Sequence, residues 1–126
     1  HHPSEVDATI NTALAGWNSN NLIVVFQPHL YSRTKEFQKE FSEVLSKADI
    51  VILTDIYPAR EEKIKGVNSN LILDKIVGSK SFLVRKDEVA KKISKICSNN
   101  DMIIVMGAGD IRNITDDIYN EIIDKK

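Results

Sequence analysis

A chain of 126 residues with 42% hydrophobic content is long enough to bury one core and too short for two ordinary domains. Its 17 Lys and Arg against 18 Asp and Glu give a net charge of -1, which removes any global pull toward nucleic acid or an anionic membrane and leaves an anion site to local residues. The single cysteine, Cys97, excludes an internal disulfide or a cysteine-based zinc cluster and fits a reduced, cytoplasmic setting.

No apolar run approaches the roughly 18–20 residues of a membrane span, and the start lacks the charged and apolar segments of a signal peptide. The start is abrupt, with His1 and His2 leading straight into Pro3 and an amphipathic run, and reads as a cut chain. Val6, Ile10, Leu14 and Trp17 recur at helical spacing and predict a helix over residues 3–17, with Ser4 or a neighbour as its cap and Glu5 and Asp7 at its positive end. Leu22-Ile23-Val24-Val25-Phe26 is a continuous β-branched run closed by Pro28, the pattern of a parallel strand buried on both faces.

Phe37, Phe41, Val44 and Leu45 mark one face of a helix between Arg33 and Lys47, and Ile50 to Leu53 form a second buried strand. An irregular stretch from Asp55 to Asn70 precedes a short helix over residues 71–77, a third strand from Ser81 to Val84, and a helix carrying Val89, Ile93 and Ile96. The fourth strand, Met102 to Met106, runs into Gly107-Ala108-Gly109-Asp110, after which Ile111, Ile114, Ile118 and Ile122 stripe a closing helix. Alternating helices and strands imply one α/β domain, an open, mostly parallel sheet with helices on both faces.

In such a sheet the loops leaving the carboxyl ends of the strands share one edge, where ligands bind. The loop after the first strand holds His29, Tyr31, Ser32, Arg33 and Thr34 beside a helix start, whose free N–H groups, with a guanidinium, suit a carboxylate or phosphate. Plainer duties fit the same residues: Ser32 as a helix cap and Arg33 as a solvated first-turn residue. The second loop offers Asp55, Tyr57, Arg60, Glu61 and Glu62, which suit a ligand edge or ordinary solvation.

In the third loop Gly107 and Gly109 permit close backbone approach to a ligand, but the loop lacks the Lys-Ser/Thr end of a P-loop and the spacing of a dinucleotide fingerprint. A tight turn with Asp110 as cap is its other reading. No second cluster of His, Cys or carboxylates has metal spacing, so no metal site is expected, and neither a nucleophile elbow nor a Ser-His-Asp set is present. Paired histidines at a terminus resemble the remnant of a purification tag.

His1-His2-Pro3-Ser4-Glu5-Val6, Gln27-Pro28-His29-Leu30-Tyr31-Ser32-Arg33-Thr34, Asp55-Ile56-Tyr57-Pro58-Ala59-Arg60-Glu61 and Gly107-Ala108-Gly109-Asp110-Ile111 occur in the order and spacing of motifs in the Mur ligase family of peptidoglycan synthesis. Within it the chain most resembles the branch that joins L-alanine to UDP-N-acetylmuramate. The resemblance covers essentially the whole chain. It implies a C-terminal, Rossmann-like, substrate-binding domain, with native His1 and His2, that closes over a site built with two further domains.

ATP and Mg2+ would be bound mainly by the central domain, with no cofactor in this chain and no ligase activity from it alone. By the same resemblance, His1 faces the incoming amino acid or acyl phosphate, Arg33 binds the alanine carboxylate or the developing phosphate charge, and His29 shapes that pocket. Many relatives carry an arginine where this sequence has Leu30, which leaves more of the anion binding to Arg33. Tyr57, Arg60 and Glu61 match the family pattern without a chemical step and are expected to make domain contacts. The alternatives are a sister ligase that adds a tripeptide to the same UDP-sugar and a free-standing module binding an anion or a partner at this edge.

Overall fold

The computed structural model describes residues 2–16, 20–107 and 110–125. The elements in chain order are α1 (Pro3–Gly16), β1 (Leu22–Gln27), α2 (Tyr31–Leu45), β2 (Ile50–Leu53), α3 (Asn70–Leu73), β3 (Lys80–Leu83), α4 (Val89–Ile96), β4 (Met102–Gly107) and α5 (Ile114–Lys125). Among the described residues all four strands are parallel, in the order β3-β2-β1-β4. Among the described residues no helix is long and apolar enough to cross a membrane.

The continuous apolar run of β1 is explained by its place at the centre, where every one of its residues is buried. Period-two geometry sends alternate side chains to opposite faces. Leu22, Val24 and Phe26 pack with Val6, Ile10, Phe41, Leu45 and Ile72 beneath α1, α2 and α3, while Ile23 and Val25 pack with Val89, Ile93, Ile114 and Ile118 beneath α4 and α5. Helices therefore cover both faces, and β1 and β2 each contribute side chains to both halves of the core.

Element boundaries differ from expectation where local geometry intervenes. His2, not Ser4, holds the cap position of α1: its carbonyl accepts the Glu5 and Val6 amides at 3.0 and 3.1 Å, and its Nδ1 accepts the Ser4 amide at 3.3 Å. Pro3 explains the shift, because a proline with fixed φ and no N–H suits the first helical position. The His2 ring also meets Phe37 edge-on, with centroids 4.9 Å apart, tying α1 to α2. Trp17, expected to close the first helix, lies outside the described residues.

The helix expected over residues 71–77 shrinks to the single turn Asn70–Leu73, after which Gly78 adopts φ 82° and redirects the chain into β3. Ile111 is fully buried, but in a 3-10 turn over Asp110–Asn113 rather than in α5. Gly107 at the end of β4 pairs with Gln27 of β1, and a Cβ there would stand 2.5 Å from Ile111 Cγ2 and 3.1 Å from Gln27 Cβ. Its missing side chain makes room for core packing. We expect Gly107→Ala to destabilise the fold by about 1–3 kcal/mol, and to cost clearly less in an Ile111→Ala background that removes the obstructing methyl. Denaturant unfolding checks this, and an equal cost in both backgrounds refutes it.

Candidate functional site

Beyond the ends of β1 and β2 the sheet continues as a single parallel bridge between His29 and Tyr57. The Tyr57 amide donates to the Pro28 carbonyl at 2.8 Å, and the Leu30 amide donates to the Tyr57 carbonyl at 2.9 Å. Leu30 has φ 69° and ψ 138°, a backbone region that costs a non-glycine residue of order 1–3 kcal/mol. The bond to Tyr57 holds this turn from one side. Thr34 holds it from the other, its amide and hydroxyl both donating to the Leu30 carbonyl, at 3.1 Å and 2.8 Å. The result is a sharp entry into α2, two residues earlier than the sequence pattern predicts.

Leu30 has no side-chain acceptor for the amides that open α2, and a helix start leaves such amides without intrahelical partners. Glu61, 29 residues further along the chain, supplies one: its Oε1 accepts the Ser32 amide at 2.9 Å and its Oε2 accepts the Ser32 hydroxyl. These two bonds, the hydroxyl's first, hold the Glu61 carboxyl below its ordinary range. The helix N-terminus expected to receive a ligand carboxylate or phosphate thus already carries a carboxylate of the same chain. Ser32, for which a capping role is one of two readings, acts as the donor.

His29 and Arg33 lie one helical turn apart and meet, with Arg33 Nη1 3.4 Å from His29 Nδ1. A guanidinium only donates, so the contact requires an unprotonated Nδ1. Burial first, and the charge of Arg33 second, hold the His29 pKa below its ordinary value, while Glu61 opposes them weakly. The His29 ring stacks on Tyr57, with centroids 6.0 Å apart and planes 18° from parallel. At neutral pH the group therefore presents one fixed positive charge on Arg33 and a neutral imidazole beside it, a pair suited to donating hydrogen bonds to an anion.

With that geometry in place, the sequence matches the family model described as "Mur ligase, glutamate ligase domain" over residues 1–109. The chain belongs to the Mur ligase family. It is 46% identical over 114 residues to the UDP-N-acetylmuramate--L-alanine ligase of Phocaeicola vulgatus, covering 90% of this chain and 24% of that protein. It is 44% identical to the ligase of the same name from Paenarthrobacter aurescens, covering 88% of this chain and 24% of that one. The chain spans about a quarter of the length of these relatives.

Among solved structures, the fold matches a murein peptide ligase of Psychrobacter arcticus with a TM-score of 0.75 at 15% identity, covering 97% of this chain and 26% of that one. It also matches a domain from a putative UDP-N-acetylmuramate:L-alanyl-gamma-D-glutamyl-medo-diaminopimelate ligase of Haemophilus ducreyi, with a TM-score of 0.73 at 20% identity over 97% of this chain and 85% of that one.

In this Mur ligase domain the remaining expected site residues are dispersed. His1 and Gly109 lie outside the described residues. Arg60 is exposed, following Ala59 at φ 53°; Asp110 opens the 3-10 turn after β4. Gly107 lines a cavity of about 200 Å³ that also touches Glu5, Thr9 and Phe26, on the β4 side of β1 rather than over the β2 side where Tyr57 joins His29.

Glu61, expected to make a domain contact, and Gln27, present only as part of a motif, take roles that the sequence did not indicate. Glu61 is the cap of α2, and no local pattern signals a cap contributed from so far along the chain. Gln27 is 6% exposed, and among the described residues its Oε1 is a buried acceptor without a partner. Gln27 and Tyr57 both line a cavity of about 280 Å³. A polar residue ending an otherwise apolar strand was the available signal.

The depressed pKa of His29 has a consequence for stability. A group whose folded pKa lies below its unfolded value stabilises the fold above the unfolded value and loses that contribution as pH falls through the folded one. For His29 the loss begins below its ordinary 6.5; for Glu61, with the same sign, it begins below 4.5. We expect the thermal midpoint to fall in two stages on acidification from neutral pH, and His29→Asn to remove the first stage. A variant profile parallel to the wild type between pH 7 and 5 would sink this assignment.

Proposed function

We propose that this chain is the C-terminal, substrate-binding domain of an ATP-dependent ligase that joins L-alanine to UDP-N-acetylmuramate in peptidoglycan synthesis, and that it has no ligase activity alone. The observation that carries the reading is the contact of Arg33 with a neutral His29 at the carboxyl edge of the sheet. The names of relatives at 44–46% identity supply the substrate class. A cytoplasmic location, expected from the lone Cys97, is part of the same proposal.

In this reading Arg33 receives the amino-acid carboxylate or the charge that develops on the phosphate. His29 shapes and hydrogen-bonds the same pocket, and His1 faces the incoming amino acid. A guanidinium and an imidazole already in place stabilise charge without reorganising at the moment of reaction, and holding the amine donor in register converts an encounter into an oriented step.

We assign no magnesium–ATP site to the described residues of this chain. Among the described residues no three His, Cys, Asp or Glu side chains gather as metal ligands, and the segment after β4 lacks the Lys-Ser/Thr end of a P-loop. ATP, Mg2+ and the UDP-sugar are assigned to the other domains of the ligase, with which this domain would close.

The test is a substrate panel on the full-length ligase. L-Alanine should be the preferred amine, and Arg33→Ala should lower turnover by about 100-fold or more without a change in fold by circular dichroism. Turnover at the wild-type level in that variant overturns the role of Arg33, and equal or better use of a tripeptide overturns the substrate. The 126-residue chain assayed by itself with ATP, L-alanine and the UDP-sugar should form no amide; detectable ligation would refute its assignment as an inactive domain.

A further inference from the structure

We propose that Glu61 is a positioning residue for the His29–Arg33 pair: by accepting two hydrogen bonds from Ser32 it fixes the first turn of α2, and with it the direction from which Arg33 approaches His29. The proposal rests on the reading of that pair as the anion-binding group.

The connections run without a gap from the sheet to the guanidinium. β2 ends at Leu53, and Tyr57 is locked to Pro28 and Leu30 by two backbone hydrogen bonds. The Glu61 amide donates to the Pro58 carbonyl at 2.9 Å, closing a turn through Ala59, whose φ is 53°. That turn delivers the Glu61 carboxylate to the amide and hydroxyl of Ser32, the residue next to Arg33.

Without Glu61, the Ser32 amide in the opening turn loses its acceptor, and helix ends lacking a cap fray. Fraying there would act on the site directly, because Arg33 is carried by that turn whereas His29 precedes it and is held by the bridge to Tyr57. Glu61 touches neither member of the pair by hydrogen bond among the described residues; its effect passes through Ser32.

Two substitutions separate the bond from the charge. Glu61→Gln removes the charge and keeps an acceptor for Ser32; Glu61→Ala removes both. The His29 imidazole is titrated by NMR in the protein and in each variant. Since Arg33 lowers the His29 pKa, losing Arg33 from its place should let the pKa climb back. The expected result is a higher His29 pKa in Glu61→Ala than in Glu61→Gln, with Ser32 amide exchange about tenfold faster in the alanine variant. Identical His29 pKa values in the two variants overturn the proposal.

In the full ligase, Glu61→Ala should reduce kcat/KM for the amino acid by about tenfold with the KM for ATP unchanged, and Glu61→Gln should recover most of it. Equal losses in both variants would also count against positioning. A full-length wild-type protein without ligase activity would refute the functional reading, while the titration would still decide the part played by Glu61.

Discussion

The domain depends on β1, which like β2 is hydrogen-bonded on both sides and buried on both faces, and which alone pairs with β4. A parallel strand in that position can satisfy its backbone only through its neighbours, so β2 and β4 are fixed in register to it. Its side chains then dictate what the helices must supply: Phe26 needs the Phe41 ring, 5.1 Å away, and Val25 needs the aliphatic face of α4 and α5. Burying a side chain of this size contributes about 1.5–3 kcal/mol. The β-branched run of β1 is therefore the common wall of both halves of the core.

The same constraint reaches the carboxyl edge of the sheet. The two central strands do not release their loops independently, because Pro28 and Leu30 bond to Tyr57 before the chain turns into α2. The turn demands an unusual backbone at Leu30, and the helix that follows begins without a cap of its own. Both deficits are met by the second loop, through the Tyr57 carbonyl and the Glu61 carboxylate. A charged loop that looks like ordinary solvated surface is in fact the support of the first loop. The positive charge of Arg33 is set beside an imidazole whose pKa burial and that charge both lower.

The motifs and the packing of this edge carry different kinds of information. The Gln27-to-Thr34 segment is specific enough to indicate the Mur ligase family, and the family match confirmed it over residues 1–109. It also directed attention to His29 and Arg33, which the fold brings into contact. The family pattern could not say that Gly107 serves Ile111, nor that the anion at the α2 N-terminus is internal.

By itself the sequence determined the α/β class, the order of the elements, the central position of the first strand and the edge on which unusual residues gather. Hydrophobic periodicity and β-branched runs are local signals, and parallel connection follows from alternating elements. Only the tertiary structure decided which loop supports which, where α2 begins, and what Glu61 and Tyr57 do. Those outcomes depend on hydrogen bonds between residues far apart in the chain and on a backbone turn at Leu30 that its side chain does not advertise. Local pattern carries no information about such partners until the sheet has brought the strand ends together.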